Sequence, residues 1–405
     1  MVESPVGPAH ASVAGPLERG RSLWQQGNEA EALPWLEKAC AGEAELGDGE
    51  AAEAWCLLGL LRAQQAQPRA AAAAFLRALA REPDCQLALR SLYFQRFADD
   101  DLRALLPQLD HLVRGGTVRA SRASVVLADW HHRVGDRALA RRVYRSLWGD
   151  AGDGGDAPAQ IGTCRPDALL IGAPKCGTTS LMAALRSHPG VWCQPRKELH
   201  FFNNRWDWGL PWYAEQFPPR VLCGGGVRLE ATPDYLQGPE IPERVAATLP
   251  GVKLIVLLRE PLARALSWIH HQRRWGGLVG SPEAVIANEL EVLAAMPAQA
   301  LRQLGWRAPN ALAASLYDVQ LSRWRQHFGA EDLLILRAED LFIHPQIVLA
   351  SIDQFLHLEP GHWRSSFACP QMNRAPDSYP GLPAGLAQHC RQTVLRRAWE
   401  IWKNL

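Results

Sequence analysis

Leu169-Leu170-Ile171-Gly172-Ala173-Pro174-Lys175-Cys176-Gly177-Thr178-Thr179-Ser180-Leu181 reads as an apolar strand, a tight turn and a hydroxyl-rich helix start. That order of elements makes an anion site. Amides of the turn and of the helix N-terminus point outward, and the helix dipole favours negative charge there. Gly177 lets the backbone approach a ligand closely, Lys175 adds a cation, and Thr178, Thr179 and Ser180 supply hydroxyl donors, with Cys176 inside the same turn. The nucleotide-triphosphatase loop, G-x-x-x-x-G-K-[ST], places its Lys after the last Gly. Here Lys175 precedes Gly177, and Thr178 stands where that Lys would be.

A second strand–turn–helix follows at Val252-Lys253-Leu254-Ile255-Val256-Leu257-Leu258, a run suited to a strand buried on both faces. It ends in Arg259-Glu260-Pro261, with Pro261 placed for a first helical turn and Arg264 and Ser267 one helical step apart beyond it. Strand ends of this kind gather ligands at the carboxyl edge of a parallel sheet. The expected architecture is therefore α/β, a P-loop-like parallel sheet flanked by helices. Further along, residues 315–328 read as an amphipathic helix, 332–337 as a strand, 338–341 as a turn and 347–356 as a helix.

Residues 17–148 are rich in Ala, Leu and Arg and read as consecutive amphipathic helices. Trp55-x-x-Leu58-Gly59, then Ala71-x-x-x-Phe75, Ala78 and Pro83 follow the tetratricopeptide pattern, with Arg62 where Tyr is usual. Gly27, Ala32, Leu36 and Ala39 fit the second half of such a unit. Leu127, Ala128, Gly135, Ala140, Tyr144 and Leu147 fit another, and residues 87–119 are degenerate. A helical-repeat domain of this kind either docks a protein partner or serves as scaffold. The Gly- and Asp-rich stretch after Trp148 reads as a linker over 149–165, residues 1–16 as a disordered N-terminus, and 166–405 as the α/β domain.

The chain has 405 residues, 47% hydrophobic and 21% charged, enough for more than one folded domain. A net charge of +1 gives no global field toward nucleic acid, so any anion site is local. The N-terminal residues lack a basic start and apolar core, and no run is apolar enough for a membrane span. Nine Cys without C-x-x-C pairs or metal-ligand spacing fit reduced thiols and a cytoplasmic location, with no metal expected.

The arrangement P-K-x-G-T-T-S-L resembles the phosphosulfate loop of the sulfotransferases, and R-x-P-x-x-R-x-x-S resembles their second signature. Between them, Pro195-Arg196-Lys197-Glu198-Leu199-His200-Phe201-Phe202 is similar to the K-E-x-H-F-F segment of the carbohydrate, heparan sulfate-like branch. Leu229-Glu230-Ala231-Thr232-Pro233-Asp234-Tyr235 is similar to that branch's E-K-T-P-x-Y, with Ala231 in place of Lys. The resemblance covers residues 166–380 and implies the sulfotransferase fold, with 3′-phosphoadenosine 5′-phosphosulfate (PAPS) as sulfuryl donor and no metal. It implies that Lys175, Cys176, Gly177, Thr178, Thr179 and Ser180 hold the 5′-phosphosulfate, and that Arg259 and Ser267 hold the 3′-phosphate. Arg264 reads as a surface or ion-paired residue. Arg374, in Asn373-Arg374-Ala375-Pro376, is a candidate in a loop over the nucleotide.

Glu198 is then the general base toward an acceptor hydroxyl, because a sugar hydroxyl attacks only as its proton leaves. His200 is expected to orient or assist it, Lys197 to balance the carboxylate or contact substrate, and Phe201 and Phe202 to be core. The loss of Lys at Ala231 weighs against a glycosaminoglycan acceptor. The reaction read here is transfer to a carbohydrate hydroxyl in a bacterial cytoplasmic enzyme. A protein tyrosine acceptor, a nucleotide-binding P-loop kinase-like enzyme and a repeat-based adaptor are the alternatives.

Overall fold

The computed structural model describes residues 15–95, 97–114, 120–148, 160, 162–274, 278, 280–305, 310–363 and 382–405. Residues 1–14 of the expected N-terminal tail, most of the expected linker and Arg374 lie outside these. The chain divides into two compact units, Met1–Val143 and Tyr144–Leu405.

The first unit is all helical: Pro16–Gln25, Glu29–Ala41, Asp48–Gln64, Pro68–Arg81, Gln86–Phe94, Asp99–Arg114, Ala120–Val134 and the start of Arg137–Ser146. Pro16 and Pro68 open their helices where a missing N–H costs nothing. Asp48 and Glu50 place negative charge on the first turn of theirs. Consecutive helices pack through small residues. A Cβ on Gly59 would fall 2.6 Å from the Phe75 ring, and one on Gly20 would fall 2.8 Å from Leu36. The core comprises Leu36, Leu57, Leu58 and Leu61 toward one end, and Phe75, Leu79, Leu102, Leu109 and Trp130 toward the other.

The second unit is built on a parallel sheet of β1 (Ala168–Gly172), β2 (Val191–Cys193), β3 (Val227–Ala231), β4 (Lys253–Leu258) and β5 (Leu333–Arg337), in the order β2-β3-β1-β4-β5. Every residue of β1 is buried, as the continuous apolar run requires when helices cover both faces. Because β1 lies between β3 and β4, the chain segments leaving all three strands emerge side by side at one edge.

Some elements differ from the sequence reading. The strand β2 was not anticipated; three residues with one half-exposed Trp carry too little periodicity to signal it. Residues 338–341 open a short helix, Ala338–Ile343, rather than a turn. The expected helix over 315–328 is a 3-10 turn, Ala313–Ser315, followed by Tyr317–Trp324. Arg264 is not at the surface, and it has no ion pair among the described residues. It is fully buried, donates from Nε to Ser315 Oγ at 2.6 Å, and caps the carbonyls of Asn310 and Ala311. Glu289 takes the amides of Ala311 and Ala313 at 2.9 and 2.8 Å. Together they fix the segment that carries Tyr317.

Candidate donor and catalytic site

The loop leaving β1 is tied to the neighbouring strand by the Ala173 N–H, which donates to Leu257 O at 2.8 Å. Gly177 sits at φ +87°, a left-handed position that only Gly holds without strain, and a Cβ there would meet the Phe342 ring at 2.9 Å. Helix Thr178–Leu185 starts directly after it, and its first intrahelical bond runs from Leu181 N to Gly177 O at 3.0 Å. The amides of Gly177, Thr178 and Thr179 belong to the first turn, whose donors lie outside the intrahelical ladder. Thr178 and Ser180 are buried, while Lys175 and Thr179 are half-buried.

Cys176 plays a different part. Its thiol is buried 3.8 Å from the Tyr317 hydroxyl, and its N–H turns back to Ala173 O at 3.3 Å. Burial pushes the thiol up to about 11, against the pull of Arg264. Cys176 thus packs the floor of the loop. The Tyr317 hydroxyl also donates to Arg259 O at 2.9 Å, so one buried Tyr braces both strand ends. Arg259 follows β4 directly, and Ser267 lies half-buried on helix Pro261–Arg274. Glu260 takes the Ala263 N–H at 2.7 Å and closes that helix start.

Glu198 lies in the segment after β2 and is clamped to the end of β3 by its N–H, which donates to Ala231 O at 2.8 Å. Both Glu198 (φ 69°) and His200 (φ 54°) are left-handed. What holds this costly turn is a buried carboxylate. Glu230, with no exposed surface, accepts from the hydroxyls of Tyr213, Thr232 and Tyr235 at 2.6, 2.6 and 2.9 Å. The Thr232 and Tyr235 oxygens in turn take the amides of His200 and Phe201 at 3.3 and 2.8 Å. Burial pushes Glu230 above the usual carboxylate range, although its three hydroxyl bonds oppose this. Phe201 and Phe202 are core, with Phe201 stacked on Tyr213 at 4.3 Å.

The Glu198 side chain is about a third exposed. Its Oε1 is 3.3 Å from Lys197 Nζ, and its Oε2 is 3.8 Å from His200 Nε2. Desolvation raises this carboxyl, but the His200 ring and the charge of Lys197 beside it outweigh that and hold Glu198 well below the usual range. Lys197 Nζ also donates to Thr179 Oγ1 at 2.7 Å and reaches Thr178 Oγ1 at 3.5 Å. The structure thus brings Lys197, Glu198, His200, Thr178 and Thr179 into one cluster, with Arg259 on the strand beside the loop. Arg374 lies outside the described residues. Glu230 and Thr232 were read only as part of the segment similar to E-K-T-P-x-Y, with no role given, and Tyr213 and Tyr317 were given no site role. A charged residue inside the buried strand β3 was the one available signal.

Among the described residues no group of His, Cys, Asp and Glu is arranged to hold a metal, and no helix is long and apolar enough to cross a membrane.

Residues 165–366 match the family described as "Sulfotransferase domain". The chain is 32% identical over 216 residues to the bifunctional heparan sulfate N-deacetylase/N-sulfotransferase 4 of Mus musculus, covering 50% of this chain and 23% of that protein. It is 32% identical over 203 residues to the N-deacetylase/N-sulfotransferase 2 of Homo sapiens, covering 48% and 22%. The chain thus spans less than a quarter of the length of these curated relatives. Among solved structures, a sulfotransferase from Alicyclobacillus acidocaldarius aligns with 59% of this chain and 99% of its own, at 22% identity and a TM-score of 0.45. A mouse sulfotransferase complexed with PAP aligns with 65% and 95%, at 13% identity and a TM-score of 0.37. This chain carries a sulfotransferase domain, on a parallel sheet flanked by helices and preceded by an all-helical region.

Proposed function

We propose that the chain transfers a sulfuryl group from PAPS to an acceptor hydroxyl, most simply on a carbohydrate. The observation that carries this reading is the single amine, Lys197 Nζ, that lies 2.7 Å from a hydroxyl of the anion loop and 3.3 Å from the Glu198 carboxylate. A base and an anion cradle that share one cation are close enough to serve one reacting centre. The donor set also fits the nucleotide. Helix-start amides, Thr178, Thr179 and Ser180 hydroxyls and Lys175 suit a 5′-phosphosulfate, and the cradle at Gly177 has no room for a Cβ. Arg259 and Ser267, on the adjoining strand end, suit the 3′-phosphate.

The donor supplies an activated sulfur with adenosine 3′,5′-bisphosphate as leaving group. Glu198 accepts the acceptor's proton as its oxygen bonds to sulfur. Lys175 and the loop amides balance the charge that collects on the bridging oxygen as the S–O bond to the phosphate breaks. His200 keeps Glu198 oriented, and Lys197 contacts substrate. These donors supply the charge stabilisation without a metal. The relatives' names add a second acceptor class, an amino group on a glycan, for which Glu198 would take the nitrogen-borne proton.

The helical region reads as tetratricopeptide-like, with a linker over 149–165 and a protein partner on its surface. The Gly59–Phe75 and Gly20–Leu36 contacts, which recur at the same sequence offset, support this. A cytoplasmic, bacterial setting remains the expected one.

Calorimetry with adenosine 3′,5′-bisphosphate in metal-free buffer, beside ATP with Mg²⁺, tests the function. Micromolar bisphosphate binding that disappears in Arg259→Ala supports it. Mg²⁺-dependent ATP hydrolysis without bisphosphate binding would return the chain to the kinase-like class.

A further inference from the structure

We propose that Lys197 is shared between donor and base: it moves onto the donor's anion when the loop is filled, and so releases Glu198 for proton transfer only in the loaded enzyme. This rests on the PAPS reading above and adds a coupling within that site.

The ammonium group has three donors. In this structure they face Thr179 Oγ1 at 2.7 Å, Thr178 Oγ1 at 3.5 Å and Glu198 Oε1 at 3.3 Å. The two hydroxyls stand at the helix start where an anion binds, so an arriving phosphosulfate oxygen competes with Glu198 for the same amine. The donor carries more charge than one carboxylate, so the donor wins. Lys197 is 22% exposed on a flexible stem, and a small pivot suffices.

Lys197 precedes Glu198, His200 faces the other carboxylate oxygen at 3.8 Å, Lys175 belongs to the loop, and Glu230 lies behind His200 on β3. Moving Lys197 away removes the ammonium group that stands 3.3 Å from Glu198 Oε1. The Glu198 carboxyl, held below the usual range by its neighbours, then relaxes toward ordinary values, and its capacity to take a proton rises. Without donor, the base stays locked.

Linkage makes this measurable without an acceptor. If donor and Glu198 compete for Lys197, Glu198→Gln tightens adenosine 3′,5′-bisphosphate binding, and it does so only when Lys197 is present. Calorimetry on the full chain would compare wild type, Lys197→Met, Glu198→Gln and the double variant. The expected results are about tenfold weaker binding in Lys197→Met and about three- to tenfold tighter binding in Glu198→Gln. In the Lys197→Met background the second change should be under about twofold, and Lys197→Arg should restore wild-type behaviour. Lys197→Gln, which keeps a polar end, replaces the Met variant if that one fails to fold. Equal tightening in both backgrounds would mean simple charge repulsion and overturn the coupling, as would unchanged affinity in Lys197→Met. Absence of bisphosphate binding in wild type overturns the donor reading and this coupling together; binding without coupling overturns the coupling alone.

Discussion

A buried carboxylate and a half-exposed one, on neighbouring segments, are tuned in opposite directions. Glu198 is held low by His200 and Lys197 against desolvation, so it stays ionised and takes a proton only weakly while Lys197 remains beside it. Glu198→Gln keeps the shape and removes the lone pair that takes the proton. Turnover is expected to fall by at least ~10²-fold with no loss of donor binding, measured by radiolabelled transfer beside calorimetry. Near-normal turnover would remove Glu198 from the role.

Glu230 is raised by burial, so the folded state holds its proton at pH values where the unfolded chain has released it. Stability from this group is then greatest in acid and declines as pH rises from the ordinary glutamate value of about 4.3 through the raised one. Chemical denaturation across that window should show this slope in wild type and lose it in Glu230→Gln. A slope that persists in the variant would assign it elsewhere.

Among elements, the turn between β1 and its helix is the most constrained. Gly177→Ala forces a left-handed Ala and drives its Cβ into Phe342, 2.9 Å away. Gly251, at φ +76° with nothing within 4 Å of its Cβ position, provides the control. Gly251→Ala should cost about 1 kcal/mol of strain alone, and Gly177→Ala about 2–3 kcal/mol together with most of the bisphosphate affinity. Equal melting temperatures for the two variants would show that Phe342 yields freely.

The same element was the most legible in sequence. Strand, turn and hydroxyl-rich helix start were all readable from Leu169 to Leu181, because apolar burial, a Gly turn and helix-start hydroxyls are local preferences. Arg264 was not readable. Its position relative to Ser267 says only that both lie on one helix, whereas its burial depends on the carbonyls of Asn310 and Ala311 and the Ser315 hydroxyl, far along the chain. The Glu230 hydroxyl network is hidden in part for the same reason: Thr232 and Tyr235 are near neighbours in sequence, but Tyr213 comes from a separate segment, and the burial of all of them depends on the fold.

Across the whole molecule, Lys and Arg number 43 against 42 Asp and Glu. Opposite charges that nearly cancel give little long-range pull on a polyanion. The chain should therefore leave immobilised heparin at or below about physiological ionic strength, ~0.15 M, where a Debye length of about 8 Å screens scattered contacts. Retention well beyond that salt would reveal a concentrated cationic track and favour a glycosaminoglycan acceptor despite Ala231.

The sequence by itself determined the strand–loop–helix element from Leu169 to Leu181, the second strand end at Arg259, the Lys197–Glu198–His200 segment and the all-helical character of the first region. These follow from periodicity, turn chemistry and residue type, which act over a few residues. Only the tertiary structure decided that β1 lies between β3 and β4, which gathers their ends at one edge. It also decided that Lys197 joins the loop to Glu198, that Glu230 holds the Glu198 turn, and that Arg264 is an internal brace. Each of these depends on contacts between distant segments, whose pairing is set by packing and hydrogen-bond satisfaction in the folded chain rather than by any local preference.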